Sequence, residues 1–98
     1  MRLREVIWKD WVVDKLELKH GVSVEEVEEV LFSKPHVRRL RKGHVRGEDL
    51  YAGYGRTAEG RYLVVFFIHK RPAAALPVSA RDMTASERRH YERQAEAR

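Results

Sequence analysis

Several arginines and one histidine stand where they could handle phosphate. The stretch Leu76–Ala80 reads as a strand that runs into Arg81, followed by the segment DMTASERRHYER, a capped helix that brings three more arginines and a histidine and ends at Arg93. Arg56 precedes a turn, Thr57–Gly60, and Arg61 opens the next strand. An arginine fork donates to two phosphate oxygens at once and keeps its charge at any working pH. Between Ser33 and Gly47 there are six Lys/Arg, two His and no acid. Arg38, Arg39, Arg41 and Lys42 in that run could neutralise several phosphates and give salt-sensitive binding. Lys19 and His20 close a helix, where the dipole favours an imidazolium that could hold phosphate or move a proton. Each feature also has a plain reading: a solvated hairpin, a solvated helix with i,i+4 pairs, a capping histidine.

Other chemistries find less support. There is no cysteine, which removes disulfides, thiolate zinc sites and thiol nucleophiles. The five histidines are scattered without metal-ligand spacing, so no metal site and no cofactor are expected. GYGRTAEG has the glycines of a phosphate loop but leads into a strand, whereas that fingerprint leads into a helix. Ser79 has no nucleophile elbow around it. Tyr51 and Tyr54 suit core packing, with base stacking as the alternative.

Charge is unevenly placed. The formal net charge is +5, split as −3 over residues 1–32 and +8 over residues 33–98. Such asymmetry favours a polyanionic partner for the second part. The 98 residues suffice for one domain, spanning 1–98. No stretch approaches the ~18 apolar residues of a membrane span, and a cytoplasmic protein without membrane contact is expected.

These residues need elements to position them. Arg4–Trp8 reads as a short strand, then Asp10 as the N-cap of a helix running to His20 with Val12, Val13, Leu16 and His20 on one stripe. Gly21 suits a left-handed helix end. Ser23-Val-Glu-Glu26 is a capping box for a second helix with Val24, Val27, Val30 and Leu31 inward. Strands are expected over Val37–Leu40, Leu50–Arg56, Arg61–His69 and Ala74–Ala80, the third buried on both faces. Thr84-Ala-Ser-Glu87 caps a C-terminal helix. The order β-α-α-β-β-β-β-α gives an α+β domain with an antiparallel meander.

Three segments, KHGVSVEEVEEVLF, EDLYAGYGRTAEGRYLVVFF and PVSARDMTASERRHYER, together resemble the BrnT family of toxins of type II toxin–antitoxin systems. The likeness covers roughly Trp8 to Arg93, and the opening VIWKDWVVDKLELKHG departs from the family's commoner start. The resemblance implies a RelE-like fold: an antiparallel sheet with two N-terminal helices and one C-terminal helix. It implies a metal-independent endoribonuclease with RNA as substrate. The implied partner is a small ribbon-helix-helix antitoxin, with DNA engaged only through that partner. Carried onto this chain, it makes His20, Arg56 and Arg81 the catalytic candidates. Lys19, Arg61, Arg38, Arg39 and Arg41 become the RNA-binding ones. The alternative is a non-catalytic nucleic-acid-binding or antitoxin-docking module with the same fold.

Overall fold

A computed structural model describes residues 1–96. The elements are β1 (Glu5–Val6), α1 (Asp10–Lys15) continuing into a π-helical turn (Leu16–His20), α2 (Val24–Phe32), β2 (His36–Arg41), β3 (Leu50–Arg56), β4 (Tyr62–Lys70), β5 (Ala74–Asp82) and α3 (Ala85–Glu96). The expected order is observed. The five strands lie in the order β1-β5-β4-β3-β2. β2 to β5 form the antiparallel meander, while β1 pairs β5 in parallel, so the sheet is mixed.

β1 is shorter than Arg4–Trp8 because it meets only the first residues of β5, through Glu5 opposite Ala74 and Val6 opposite Ala75. At the start of α1 the N-cap position falls on Lys9 rather than Asp10. Asp10 is the first helical residue, where its carboxylate meets the positive end of the helix dipole. The last turn widens, and the Leu16 carbonyl takes the amides of both Gly21 and Val22. Gly21 adopts the left-handed conformation at φ 60°. The Ser23 capping box forms in both directions.

One face of the sheet carries α1 and α2. α2 packs over β3 and β4, and α1 with its π turn packs over β5. Val12, Leu16, Val27, Val30 and Leu31 meet Leu63, Val65 and Phe67 in this core. Val24 stays half-buried, because the capping turn holds it above the stripe. β3 approaches α2 so closely that a Cβ on Gly55 would lie 2.9 Å from Val30 Cγ1. Trp11 and Leu18, off the α1 stripe, are 61% and 86% exposed.

The second face carries α3, which buries no residue of its own. Residues paired across an antiparallel sheet share a face. The registers align His36, Tyr54, Val64 and Arg81 in one row, and Arg56 with Tyr62 in the next row on that face. Val64 is fully buried yet stands outside the main core. α3 is held there by polar and aromatic contacts. Tyr62 meets Tyr91 edge-on at 6.0 Å, and its hydroxyl donates to Glu92 at 3.3 Å.

Candidate nucleic-acid interface

β5 delivers Arg81 to the second face, as its row requires. Its guanidinium is taken by Glu87 in α3, with Nη1 to Oε1 at 2.7 Å and Nη2 to Oε2 at 3.0 Å. Glu87 also completes the Thr84 capping box, accepting the Thr84 amide at 2.8 Å while its own amide donates to Thr84 Oγ1 at 3.1 Å. One carboxylate therefore caps α3 and fastens it to β5. The hydrogen bonds from Arg81, reinforced by Thr84, hold the Glu87 carboxyl down at about 2. The same pairing raises Arg81 above its ordinary value.

Arg56 lies on the same face but makes no ion pair among the described residues. Its guanidinium carbon stands 5.0 Å from the centre of the Tyr62 ring, and that of Arg88 stands 4.0 Å from it. Arg56 and Arg81 are two strand spacings and two residues apart, or about 12 Å between Cα atoms. That separation is within the joint reach of two arginine side chains.

A cleft of 280 Å³ on this face is lined by His36, Arg38, Tyr54, Glu87, His90 and Arg93, among others. Arg81 borders it through Glu87, whereas Arg56 lines a separate cleft with Tyr62 and Tyr91. The His36 and His90 rings lie 6.1 Å apart, and His36 lies 6.3 Å from Tyr54. Imidazole exchanges protons near neutrality, so this cleft joins proton-transfer groups to cations. Sequence reasoning passed over this histidine pair. Glu87, His90 and Tyr91 share one face of α3 by their i+3 and i+4 spacing. That spacing, with the period-two row of β2, was the signal available.

The remaining candidates are dispersed. His20 ends the helical layer on the opposite face of the sheet, and its carbonyl accepts from Arg61 Nη2 at 3.3 Å. Lys19 precedes it there, exposed. His20 thus sits on the helical side at the end of the sheet that carries Arg61, which also holds Asp82 next to Arg81. Arg61 spends all five N–H groups on the protein. They go to the Gly21 and His20 carbonyls, to Glu26 and twice to Asp82, at 2.8–3.3 Å. In the structure Arg61 therefore acts as a clamp joining α2, β4 and β5. Asp82, then burial, then Glu26 set the Arg61 equilibrium, with the net effect upward. Burial opposes ionisation of Glu26, but the Ser23 amide and Arg61 outweigh it and hold the carboxyl below its usual range.

The basic run splits. Arg38 aligns with Ala52 on the α3 face and Arg39, by alternation, with Tyr51 on the other. A bulge between Arg39 and Arg41 then returns Arg41, opposite Leu50, to the α3 face. Arg39 is also paired with Asp49 at 3.5 Å. Among the described residues, no three His, Asp or Glu side chains gather as metal ligands, and no helix is long and apolar enough to cross a membrane.

The fold and this face define a small α+β domain whose sheet, opposite its helical core, carries arginines, aromatic rings and two histidines. Residues 8–87 match the family model described as "Ribonuclease toxin, BrnT, of type II toxin–antitoxin system". The chain belongs to this family of ribonuclease toxins, whose members act with an antitoxin partner. A search of curated proteins gave no match. The matched segment holds Arg56, Arg81 and Glu87, together with His36, and ends just before His90.

Proposed function

We propose that this chain is an endoribonuclease that cleaves RNA without a metal ion, at the face formed by β3, β5 and α3. The observation that carries it is the placing of Arg56 and Arg81 on one face, about 12 Å apart, beside the His36–His90 pair at 6.1 Å. Cleavage by the neighbouring 2′-OH needs that hydroxyl to lose its proton and attack phosphorus. The negative charge that builds on the phosphoryl oxygens needs stabilising, and the departing 5′-oxygen needs a proton. Two guanidiniums can supply the charge stabilisation that a divalent cation supplies elsewhere. Arg56 offers its fork directly, and Arg81 does so when phosphate displaces Glu87. His36 and His90 take the proton-transfer role in place of His20. Arg38 and Arg41 hold flanking phosphates on the same face. Lys19 and Arg39, on other surfaces, contribute only to the general field.

The partner fits the same chemistry. A ribbon-helix-helix antitoxin that presents acidic groups to this face would cover the arginines and block RNA. DNA would be reached only through that partner.

The test is bulk RNA in excess chelator with the purified protein, beside Arg56→Ala/Arg81→Ala. Degradation by the parent is expected, with a loss of about 10²–10³-fold in the double variant. An intact, folded parent that leaves all RNA uncut would favour the non-catalytic module. Restoration of cleavage only on adding a divalent metal would refute the metal-free step.

A further inference from the structure

The far end of the sheet holds a second cationic cleft that the cleavage face does not use. It encloses 440 Å³ at the β2–β3 hairpin, where Lys42, His44 and Arg46 meet Tyr51, His69 and Arg71. We propose that this cleft is a separate phosphate-binding site, which grips the RNA strand several nucleotides from the bond under attack. The choice of RNA as ligand rests on the function proposed above.

Arg39, Arg61, Lys70, Arg81 and Arg88 are all paired with carboxylates. Lys42, Arg46 and Arg71 have no carboxylate partner among the described residues, yet they converge on one concavity. Like charges held together unneutralised repel, and the arrangement gains when an anion arrives. A guanidinium fork matches phosphate oxygens, and a wall of low dielectric strengthens the attraction.

The hairpin loop is held in shape by its own acids. Asp49 accepts the Gly43 amide at 2.9 Å and pairs with Arg39, so the cleft's own carboxylate is already engaged. Its carbonyl accepts from the His69 amide at 3.4 Å, tying the hairpin to β4. Glu48 is bound to Lys70. Gly43 lies so tightly against the Glu48 carbonyl that a Cβ there would collide with it. The acids of this hairpin thus organise its backbone and leave the cations outward.

Tyr51, which lines the cleft, precedes Arg56 by five residues of β3, or about 17 Å along the strand. Its row lies on the helical side of the sheet, so a chain that reaches both places must also pass round the β2 edge. One phosphate cannot touch both places, so a strand that occupies both must extend over several nucleotides. Arg41 and Arg38 line the intervening edge strand on the cleavage face.

The experiment measures binding of uncleavable 2′-O-methyl oligonucleotides to the full chain, as a function of salt. One probe is a dinucleotide and the other has roughly 12 nucleotides, within the span of ordinary single-strand sites. Arg46→Ala/Arg71→Ala alters two exposed residues, and Arg2→Ala/Arg4→Ala removes the same charge elsewhere. Two lost phosphate contacts should weaken the longer probe about 10-fold at roughly 0.15 M salt. They should also flatten the slope of log K against log salt by about 1.4. Dinucleotide binding should not change, nor should either probe with the Arg2/Arg4 variant. The inference is overturned by an unchanged slope, by equal losses for both probes, by an equal loss in the Arg2/Arg4 variant, or by a parent that binds neither probe. A parent that shows the predicted binding but cuts no RNA upholds this site and defeats the nuclease reading. A parent that cuts RNA while the hairpin variant binds normally does the reverse.

Discussion

Replacing Glu87 by glutamine should weaken the fold and strengthen RNA binding at once. The carboxyl lies at about 2 in the folded protein against an ordinary 4.5, chiefly through its hydrogen bonds from Arg81. A depressed acid stabilises the folded state above the unfolded value, near pH 4.5, and that stabilisation drains away as pH falls toward 2. Taken in full, the difference corresponds to about 3 kcal/mol. Arg81 is 38% exposed and Glu87 23%, so solvent screening brings the net to about 1–1.5 kcal/mol. For a domain of this size that is a fall of about 5–10 °C in Tm. Urea denaturation of parent and variant should show the full gap from pH 7 to about 5 and a closing gap below 4.5. The same substitution releases the Arg81 fork, which should add one phosphate contact. RNA affinity should then rise about 4-fold at roughly 0.15 M salt, with a slope steeper by about 0.7. A gap that stays constant down to pH 3 would refute the linkage. Unchanged RNA affinity would refute Arg81 as a phosphate ligand.

Arg61→Ala should cost about 2 kcal/mol, since Glu26 and Asp82 lose their shared cation. Cleavage per folded molecule should hardly change, and a large kcat loss with normal stability would return Arg61 to the site. Gly55→Ala should destabilise by about 1–3 kcal/mol by forcing Val30 away from β3, read as a lowered denaturation midpoint. A neutral result would mean that α2 yields freely. His36→Gln and His90→Gln should each reshape the pH profile of cleavage between pH 5 and 8, whereas His20→Gln should leave it intact. A profile altered only by His20→Gln would move proton transfer back to the helical layer.

Local signals were legible where their partners are near in sequence. Both capping boxes form as expected, since Ser23 with Glu26 and Thr84 with Glu87 need only one turn of chain. The strands and the C-terminal helix follow from patterning for the same reason. Long-range partners were hidden. Nothing near Arg61 in sequence announces Gly21, Glu26 and Asp82, which the fold brings to its five N–H groups. The sequence VRRLR does not show the bulge that returns Arg41 to the face of Arg38 and away from Arg39. His20 carried a helix-end signal, while the His36–His90 pair depends on α3 crossing the β2–β3 rows. Glu87 was read as a cap alone. Its second bond, to Arg81, ties that cap to the candidate site.

The most direct test of metal-free cleavage by the neighbouring hydroxyl uses one RNA oligonucleotide in excess chelator, with and without a single 2′-deoxy substitution at its cleavage position. The account predicts 2′,3′-cyclic phosphate and 5′-hydroxyl ends from the parent RNA, and no cut at the substituted position. Continued cutting at the deoxy position, or 5′-phosphate ends, would contradict it.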